Sequence, residues 1–432
     1  MTSEPNLWRA TSREGFSAPP LARDLSVDLA IIGGGFTGCA AALEAARAGA
    51  SVCLLEGDAI GHGGSGRNVG LVNAGLWLPP DAVMAQMGRD AGLHLIRTLA
   101  NAPEQVFALI AREDILCEAT RNGTLHLAHS PAGLRDLQER HRQGVALGAP
   151  LQLLDAPETA RRVGTGQYHG ALFDPRAGTI QPLAYVQGLA RAAKAAGAVL
   201  HMHSPVTALT RNDGAWVLRS QGHDVQARKV LVATNAYHLG LSTPFQPRFV
   251  PVHYCQYATD PLPEALRQTI LPGSEGCWDT ALVMSSIRLD QAGRLILGGI
   301  GNGEGMLGGV HGAWAQRKLA ALFPTLKGHP MKHGWTGHIA MTSDHIPKIV
   351  AFGPDALACF GYSGRGIGPG TVFGQHAARA LLERDMTRLP VAPVSGHSEH
   401  FTGPRALWYE AGASLIHASA ARSQAATSRR RP

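Results

Sequence analysis

The apolar residues at the start of the chain form two short runs, separated by a segment with helical character. Residues 28–32 are typical of a buried strand, and a glycine-rich turn follows them. Residues 39–49 are rich in alanine and end on a glycine, as a short helix does. The second apolar run, 51–55, ends on Glu56. This order of strand, glycine turn, helix, strand and acid predicts a βαβ unit that binds a dinucleotide.

Each part of this unit has a physical role. Gly33 permits the tight turn, Gly35 lets the backbone approach a pyrophosphate, and Gly38 lets the helix pack closely on the strand. The first turn of the helix offers free N–H groups and a partial positive charge to phosphates. Glu56 stands where a carboxylate accepts hydrogen bonds from a ribose. The predicted contacts are Gly33, Gly35, Phe36, Thr37, Gly38 and Glu56. The alternative is a βαβ turn without a ligand.

Helices and strands alternate unevenly along the rest of the chain. Helical spacing of apolar residues predicts two helices within 81–112 and further helices at 131–147, 183–196, 313–322 and 371–383. Strand-like runs include 198–203, 206–211, 215–220, 224–227, 294–299, 346–351 and 356–360. Glycine-rich segments near both ends are thus separated by strand-rich stretches. This pattern predicts an α/β, or α+β composite, protein in which a second domain interrupts a nucleotide-binding domain.

We expect the following division of the chain. The nucleotide-binding domain comprises 1–85, 150–240 and 330–420, the substrate-binding domain comprises 86–149 and 241–329, and 421–432 is a disordered basic tail.

Composition and charge narrow the class of protein. The chain has 432 residues, 45% of them hydrophobic and 16% charged, which is enough for two globular domains. The net charge of +7 is spread along the chain apart from the tail, which argues against nucleic-acid binding. The N-terminus does not resemble a signal peptide, and no apolar stretch approaches the roughly 20 residues that span a bilayer. We therefore expect a soluble, cytoplasmic protein without stable membrane insertion.

Neither cysteine nor histidine forms a recognisable framework. The six cysteines are widely separated and include no CxxC pair, which favours free thiols in a reducing compartment. His201 and His203 share one face of a predicted strand, but no third ligand accompanies them. We therefore predict no metal site.

Two further segments favour a flavin over a nicotinamide cofactor. Residues 230–236 form a buried-type strand that runs into a small polar turn, which suits the pyrophosphate side of a cofactor. Residues 361–370 form a second glycine loop that opens a helix. The dipole of that helix would stabilise negative charge at the pyrimidine end of a reduced flavin. The alternatives are a plain core strand and a plain capped helix, but the three segments together favour FAD.

These segments, together with GSGRN at 64–68 and GYSGRG at 361–366, resemble the glycine/D-amino-acid oxidase superfamily of FAD-dependent amine oxidoreductases. The resemblance covers residues 28 to about 390. The two glycine–arginine motifs are most similar to the branch that contains γ-glutamylputrescine oxidases and L-pipecolate oxidases. The resemblance implies a Rossmann-like FAD domain with a parallel central sheet. It also implies a substrate domain whose mixed, mainly antiparallel sheet covers the flavin.

The resemblance also assigns cofactor contacts residue by residue. Gly33, Gly35 and Gly38 would meet the pyrophosphate, and Glu56 the adenosine ribose. The remaining implied contacts are Ser65, Arg67 and Asn68 beside the ring or ribityl chain, Val206 at the adenine, Thr234, Asn235 and Ala236 at the phosphates, and Gly364, Arg365, Gly366 and Ile367 at the pyrimidine edge.

The FAD is predicted to be non-covalent. Sarcosine oxidases tether flavin through a cysteine shortly before a Met-Thr-x-Asp segment. Here that segment is 341–344, but the matching position lies near Gly337 and is not a cysteine. Other relatives use a histidine in the loop after the second strand, where this chain has Arg67 and Asn68. His62, a few residues earlier, is the remaining alternative.

The implied reaction removes a hydride from a carbon that bears an amine nitrogen. The hydride passes to flavin N5, and the imine that forms is hydrolysed. The nitrogen lone pair drives this step, so no strong protein base is required and the site must only orient a neutral amine. The expected partners are a small amine or amino acid and oxygen or another electron acceptor.

The predicted catalytic and substrate-binding side chains come from two regions. They are Arg67, Tyr254, Tyr257, His338 and Arg365, with His253, Arg288 and Ile339 as further lining candidates. An arginine suits a substrate carboxylate because its planar fork binds bidentately. The alternative roles are structural: Arg67 as an organiser of its loop, Arg365 as an anchor of the helix start, and the tyrosines as packing residues.

Two other functions stay open at this point. One is a 2-hydroxy-acid oxidoreductase on the same fold, which hydroxy acids rather than amines would reduce. The other is a non-catalytic FAD-binding subunit of a larger assembly.

Overall fold

The computed structural model of the chain describes residues 6–238, 241 and 244–428, with side chains as far as residue 419. The helices are Leu7–Thr11 (α1), Phe36–Arg47 (α2), Pro80–Met87 (α3), Arg89–Ala100 (α4), Ala102–Arg112 (α5), Pro131–Ala146 (α6), Ala156–Val163 (α7), Pro182–Ala195 (α8), Glu264–Arg267 (α9), Gly308–Leu322 (α10), Ile367–Glu383 (α11) and Thr402–Ser428 (α12).

The strands form two large sheets and one small pair. They are Leu25–Ile32 (β1), Val52–Leu55 (β2), Leu71–Val72 (β3), Thr124–Leu127 (β4), Gln152–Leu154 (β5), Ala171–Asp174 (β6), Gly178–Thr179 (β7), Val199–His201 (β8), Val206–Asn212 (β9), Ala215–Ser220 (β10), His223–Val232 (β11), Val250–Pro261 (β12), Gly276–Asp279 (β13), Ser285–Leu289 (β14), Arg294–Ile300 (β15), Met331–Met341 (β16), Lys348–Gly353 (β17) and Ala356–Phe360 (β18).

The first sheet contains the predicted βαβ unit. Its strand order is β17-β18-β11-β1-β2-β8, and β10 and β9 extend it from β11. Strands β18, β11, β1, β2 and β8 are parallel, whereas β17 is antiparallel at the edge. Parallel strands end at the same edge of a sheet, so the carboxyl ends of β1, β2 and β11 lie together. A doubly wound sheet binds its ligand at that edge.

Helices α2 and α11 approach each other backbone to backbone. Gly374 of α11 has no room for a side chain, because a Cβ atom would overlap the carbonyl oxygen of Thr37. Gly38 of α2 is equally constrained, since a Cβ atom would overlap the carbonyl oxygen of Gly33. Gly33 itself has a φ of 108°, a conformation that favours glycine. The glycines thus bring the first turn of α2 close to both β1 and α11.

The second sheet is mixed and mainly antiparallel. Its order is β16-β12-β15-β14-β13-β4-β6-β5, and only β13 and β4 pair in parallel. Its apolar core is separate from that of the first sheet and includes Leu297 of β15 with Trp314 and Leu319 of α10. The parallel and mixed sheets together confirm the predicted fold class.

The chain crosses between the sheets more often than the predicted domain boundaries allow. Strands β5 and β6 fall within 150–240, and β16 falls within 330–420, yet all three belong to the second sheet. Helices α4 and α5 fall within 86–149, yet Leu95 and Val106 are buried in the core that contains α2 and α11. Sequence patterns indicate the type of an element better than its partners, because pairing depends on contacts distant along the chain.

The C-terminal segment also differs from the prediction. Helix α12 continues to Ser428, where the sequence predicted disorder from residue 421, and residues 429–432 lie outside the described residues. Residues 418–428 contain five alanines, the residue with the highest helix propensity. In the described part of the chain, no helix has the length and hydropathy to cross a membrane.

Replacing Gly374 with alanine tests the contact between α2 and α11. Alanine favours a helix over glycine by about 1 kcal/mol, but its methyl group would overlap the Thr37 carbonyl oxygen. We expect the overlap to dominate and to cost about 1–3 kcal/mol of unfolding free energy, as overpacking usually does. Denaturant unfolding measures the difference. The control is Gly309→Ala in α10, where a Cβ atom meets nothing within 4 Å, and equal stability of both variants would contradict the contact.

Candidate functional site

A cavity of about 1020 Å³ lies where the two sheets meet. The carboxyl ends of β1, β2 and β11 supply one part of its lining, and β12, β15 and β16 supply another. Most residues predicted to contact the cofactor line it: Gly33, Gly35, Phe36, Thr37, Glu56, Ser65, Asn68, Val206, Thr234, Asn235, Gly364, Arg365, Gly366 and Ile367. Gly38 lies behind the turn, against Gly33. The structure therefore brings the two glycine-rich segments to one site.

Two helix N-termini open on this cavity, and neither is capped by the side chain of its own N-cap residue. The N-cap residue is Gly35 for α2 and Gly366 for α11, and neither cap has a side-chain hydrogen bond. An uncapped N-terminus leaves backbone N–H groups and a partial positive charge for a ligand. The cavity can therefore hold negative charge at two places.

Glu56 lies at the end of β2, as predicted, and lines the cavity. Its Oε2 atom accepts a hydrogen bond from the backbone N–H of Gly34 at 2.6 Å, and Oε1 accepts one from Asp58 at 2.9 Å. Burial raises the pKa of Glu56, and these two hydrogen bonds oppose that shift. The carboxylate is held next to the glycine turn, where it can also accept from a ribose.

Ser65 and Asn68 hold the glycine-rich loop at 61–70 in place. Ser65 Oγ accepts a hydrogen bond from the N–H of Phe36 at 3.0 Å, which joins the loop to the start of α2. The Asn68 side chain donates to the carbonyl oxygen of Gly64 at 2.9 Å and accepts from the N–H of Gly70 at 2.9 Å. Both side chains are therefore fixed at the cavity wall.

Two candidate arginines, Arg67 and Arg288, are bound to backbone carbonyl groups and do not line the cavity. Arg67 donates to His62 at 2.8 Å and to Thr336 at 2.9 Å, and so fastens its loop to β16. Arg288 is 1% exposed and donates to Ile180 at 2.6 Å. The structure supports the alternative role of Arg67 as an organiser of its loop and not a catalytic role.

The two candidate tyrosines lie on opposite faces of β12. Tyr254 and Gln256 line the cavity, whereas His253 and Tyr257 do not. Tyr257 packs instead against the apolar core of the second sheet. Successive side chains of a strand alternate between its faces, so residues three apart cannot share one. Tyr257 and His253 are therefore removed from the candidates.

His338 of β16 lines the cavity beside the turn that follows β11. Its Nε2 atom lies 2.8 Å from the carbonyl oxygen of Ala236, and its ring stacks on Tyr237 at 4.0 Å. Burial lowers the pKa of His338. The imidazole is therefore neutral at neutral pH and adds no positive charge to the site. Its neighbour Ile339 also lines the cavity.

Arg365 is a cation that forms no ion pair with a carboxylate of the described residues. Its Nη1 atom donates to the Ala74 carbonyl oxygen at 2.7 Å, and its guanidinium lies 5.3 Å from each of the rings of Trp77 and Trp278. Burial and, to a lesser extent, the positive charge of Arg140 lower the pKa of Arg365 to about 9, and the negative charge of Asp174 opposes this shift. A guanidinium normally keeps its proton, so this shift expresses the cost of an unpaired buried charge, which an anion would relieve.

Several buried polar atoms of the cavity wall have no hydrogen-bond partner among the described residues. They are Trp77 Nε1, Trp278 Nε1, Arg365 Nε, His238 Nε2, Tyr254 Oη and Gln256 Oε1. Buried polar groups are nearly always paired in folded proteins. Donors predominate in this set, so the cavity fits a large ligand with acceptor groups, as FAD and a carboxylate are. Among the described residues, no His, Cys, Asp and Glu side chains are grouped to hold a metal ion.

Several residues that line the cavity were not predicted from the sequence. Trp77, His126, Arg140 and Trp278 surround Arg365, and residues 408–416 of α12 include six more. None of them belongs to a local motif. A buried tryptophan usually seeks a partner for its indole N–H, but nothing in the sequence shows which of the seven tryptophans lacks one.

Comparison with known proteins agrees with this architecture. Residues 28–380 match the sequence model of the family described as DAO, FAD dependent oxidoreductase. The gamma-glutamylputrescine oxidoreductase of Escherichia coli is 30% identical over 414 residues, which are 92% of this chain and 94% of that protein. A glycine oxidase structure from Geobacillus kaustophilus superposes with a TM-score of 0.71 at 20% identity, covering 87% of this chain and 100% of that one. An L-amino acid deaminase from Proteus myxofaciens gives 0.70 at 14% identity, covering 89% and 95%.

The family match covers most of the chain, and the residues that were expected to carry the resemblance lie around one cavity. The predicted superfamily and the predicted use of FAD are both confirmed. The chain belongs to the DAO family of FAD-dependent oxidoreductases.

Proposed function

We propose that this protein oxidises a primary or secondary amine that carries a carboxylate, such as an amino acid or an N-substituted amino acid. One observation carries the proposal: an unpaired arginine, Arg365, lies in the same cavity as two uncapped helix N-termini. The similarity to a gamma-glutamylputrescine oxidoreductase supports an amine as the substrate class. FAD, when bound, supplies the hydride acceptor.

We assign the cofactor to the first sheet and to the two glycine loops. Gly33, Gly35 and Thr37 would meet its pyrophosphate at α2, with Glu56 at the adenosine ribose. Ser65 and Asn68 would flank the ring side, with Val206, Thr234 and Asn235 along the adenosine and phosphates and Gly364, Gly366 and Ile367 at the start of α11. Asn235 supports this assignment because its Oδ1 accepts a hydrogen bond from the N–H of Gly361 at 2.9 Å, which joins two of these segments.

Residues of the second sheet, together with Arg365 from the loop that opens α11, would hold the substrate. Arg365 binds its carboxylate, since a guanidinium pairs with a carboxylate through two parallel hydrogen bonds. Tyr254 lines the cavity, its hydroxyl has no hydrogen-bond partner among the described residues, and it would provide a further hydrogen bond to the substrate. His338 is neutral and leaves the amine nitrogen free of a neighbouring positive charge. The chain's role is thus to orient a neutral amine in a site that excludes water.

No protein base is needed in this scheme, and every carboxylate of the described residues that lines the cavity already has a partner. Asp279, which lines the cavity, accepts hydrogen bonds from Ser285 and pairs with Lys318 at 3.3 Å. Glu56 is bound to the glycine turn. Asp136 pairs with Arg140 at 2.7 Å. The lone pair of the amine nitrogen would therefore drive the loss of hydride.

Anaerobic mixing of the FAD-loaded protein with candidate substrates tests the proposal. We expect amino acids or N-substituted amino acids to bleach the visible absorbance of the flavin, and matching 2-hydroxy acids to leave it unchanged. Return of the colour in air would identify oxygen as an acceptor. Bleaching by hydroxy acids alone would contradict the substrate class. A yellow protein that no compound reduces would point to a non-catalytic subunit.

Replacing Arg365 with methionine tests the carboxylate contact. A hydrogen bond to a charged group contributes about 1.5–3 kcal/mol, so KM for a carboxylated amine should rise about 10- to 150-fold. KM for an amine without a carboxylate should not change, which distinguishes a lost carboxylate contact from a general loss of activity. Arg384→Met, at an exposed arginine, serves as the control. Loss of FAD from the Arg365 variant would instead assign this residue to the cofactor.

Acid precipitation tests the proposed non-covalent attachment of FAD. No cysteine lines the cavity among the described residues, and His62, which does, has its Nδ1 atom 3.0 Å from Asp58 Oδ1. We expect trichloroacetic acid to release all the yellow colour into the supernatant, from both the natural protein and His62→Ala. A yellow pellet that turns colourless only in the His62 variant would show a covalent bond at that residue.

A further inference from the structure

The helix α12 lines the cavity although it lies beyond the family match. That match ends at residue 380, and α12 begins at Thr402. Its lining residues are Trp408, Tyr409, Gly412, Ala413, Leu415 and Ile416. One wall of the cavity is therefore supplied by the C-terminal helix, which the family model does not include.

A buried polar cluster fastens α12 to the second sheet. The carboxylate of Glu410 accepts hydrogen bonds from the N–H of Asn302 at 2.9 Å and from His311 Nε2 at 3.0 Å. The Nδ1 atoms of His311 and His417 lie 2.7 Å apart, and His417 stacks on Trp314 at 3.9 Å. These partners follow β15 or lie on α10. Helix α12 is therefore fixed on the side of the cavity that we assign to the substrate.

The outer edge of this wall is apolar and exposed. Trp408 and Leu415 of α12 are 66% and 71% exposed, and Leu282, in the loop between β13 and β14, is 87% exposed. All three line the mouth of the cavity. The mouth is thus apolar, in contrast to the cationic surroundings of Arg365. A ligand that reaches from Arg365 to this edge must be anionic at one end and apolar at the other.

Gly412 stands in the middle of α12, where glycine is an unfavourable residue. A Cβ atom at this position would meet nothing within 4 Å, so no protein atom requires glycine there. The missing side chain leaves open space at the cavity mouth between Trp408 and Leu415. Gly403 lies on the same helix and is equally unobstructed, but it does not line the cavity.

We infer that α12 frames the substrate entrance and that Gly412 is its specificity-determining position, which admits an amino acid whose substituent is an extended apolar chain. This inference rests on the proposed function. The carboxylate would bind Arg365 inside the cavity, and the chain would pass Gly412 towards Trp408, Leu415 and Leu282. Each methylene that leaves water along this path should raise kcat/KM about fourfold.

A cysteine at the entrance tests the inference. All six natural cysteines are buried, so the Gly412→Cys variant carries one accessible thiol. Its thiol is labelled with methyl or benzyl methanethiosulfonate, and anaerobic bleaching of the flavin is followed with sarcosine and with N-octylglycine. Gly403→Cys, labelled in the same way, is the matched control. A reducing thiol removes either label, so recovery of the rate excludes unfolding.

We expect the natural protein to prefer N-octylglycine over sarcosine. The benzyl label at position 412 should lower the rate of bleaching by N-octylglycine at least about tenfold, as the loss of two buried methylenes would. The same label should change the rate of bleaching by sarcosine by no more than about twofold. The FAD content should stay constant, and labelling of the Gly403→Cys control should not change either rate. An equal effect of the label on both amines, or no effect, would overturn the role of Gly412.

The same experiment distinguishes an error in the proposed function from an error in this inference. If no amine bleaches the unmodified protein, the proposed function is wrong, and that result appears before any residue is changed. If the only amines that bleach the flavin lack an extended apolar substituent, the substrate class inferred here is overturned.

Discussion

The site depends on the close approach of α2 and α11. Glycine at position 374 lets the two helices meet at Thr37, and the Thr37 hydroxyl lies 2.8 Å from that of Tyr362, which belongs to the second glycine loop. This contact joins the two glycine loops, which are more than three hundred residues apart in the sequence. It also brings two uncapped N-termini to one cavity. Partial positive charges at both places suit a cofactor that carries negative charge on its diphosphate and on its reduced ring.

The second consequence of this arrangement is the isolation of Arg365. The loop that opens α11 carries this arginine into a space walled by Trp77 and Trp278, where no described carboxylate pairs with it. Holding a buried charge without a partner is costly unless a ligand supplies one. The proposed function assigns that ligand as the substrate carboxylate. The same cavity becomes apolar at α12, and this contrast is the basis for the proposed shape of the substrate.

Much of the first sheet could be predicted from the sequence, because its signals are local. The predicted strand at 28–32, helix at 39–49 and strand at 51–55 correspond to β1, α2 and β2, with ends shifted by a few residues. The glycine turn and Glu56 follow from the same pattern. Side chains alternate between the two faces of a strand, so the sequence alone could also have placed Tyr254 and Tyr257 on opposite faces of β12.

Other parts of the site could not be found in this way. Arg67 resembles a ligand-binding residue in the sequence, but Thr336, far along the chain, accepts its hydrogen bond. Trp278 and Gly412 reach the cavity through the second sheet and through the docking of α12. Sheet membership of β5, β6 and β16 is decided by pairing with distant strands. Such contacts leave no local periodicity or motif.

Amide hydrogen exchange, compared between the FAD-free and FAD-loaded protein, tests most directly whether one cofactor spans both helix N-termini. We expect FAD to slow exchange at 35–38 and at 366–370 together, and ADP to slow it at 35–38 alone. Protection by FAD at only one of the two segments, or protection of both by ADP, would contradict this expectation.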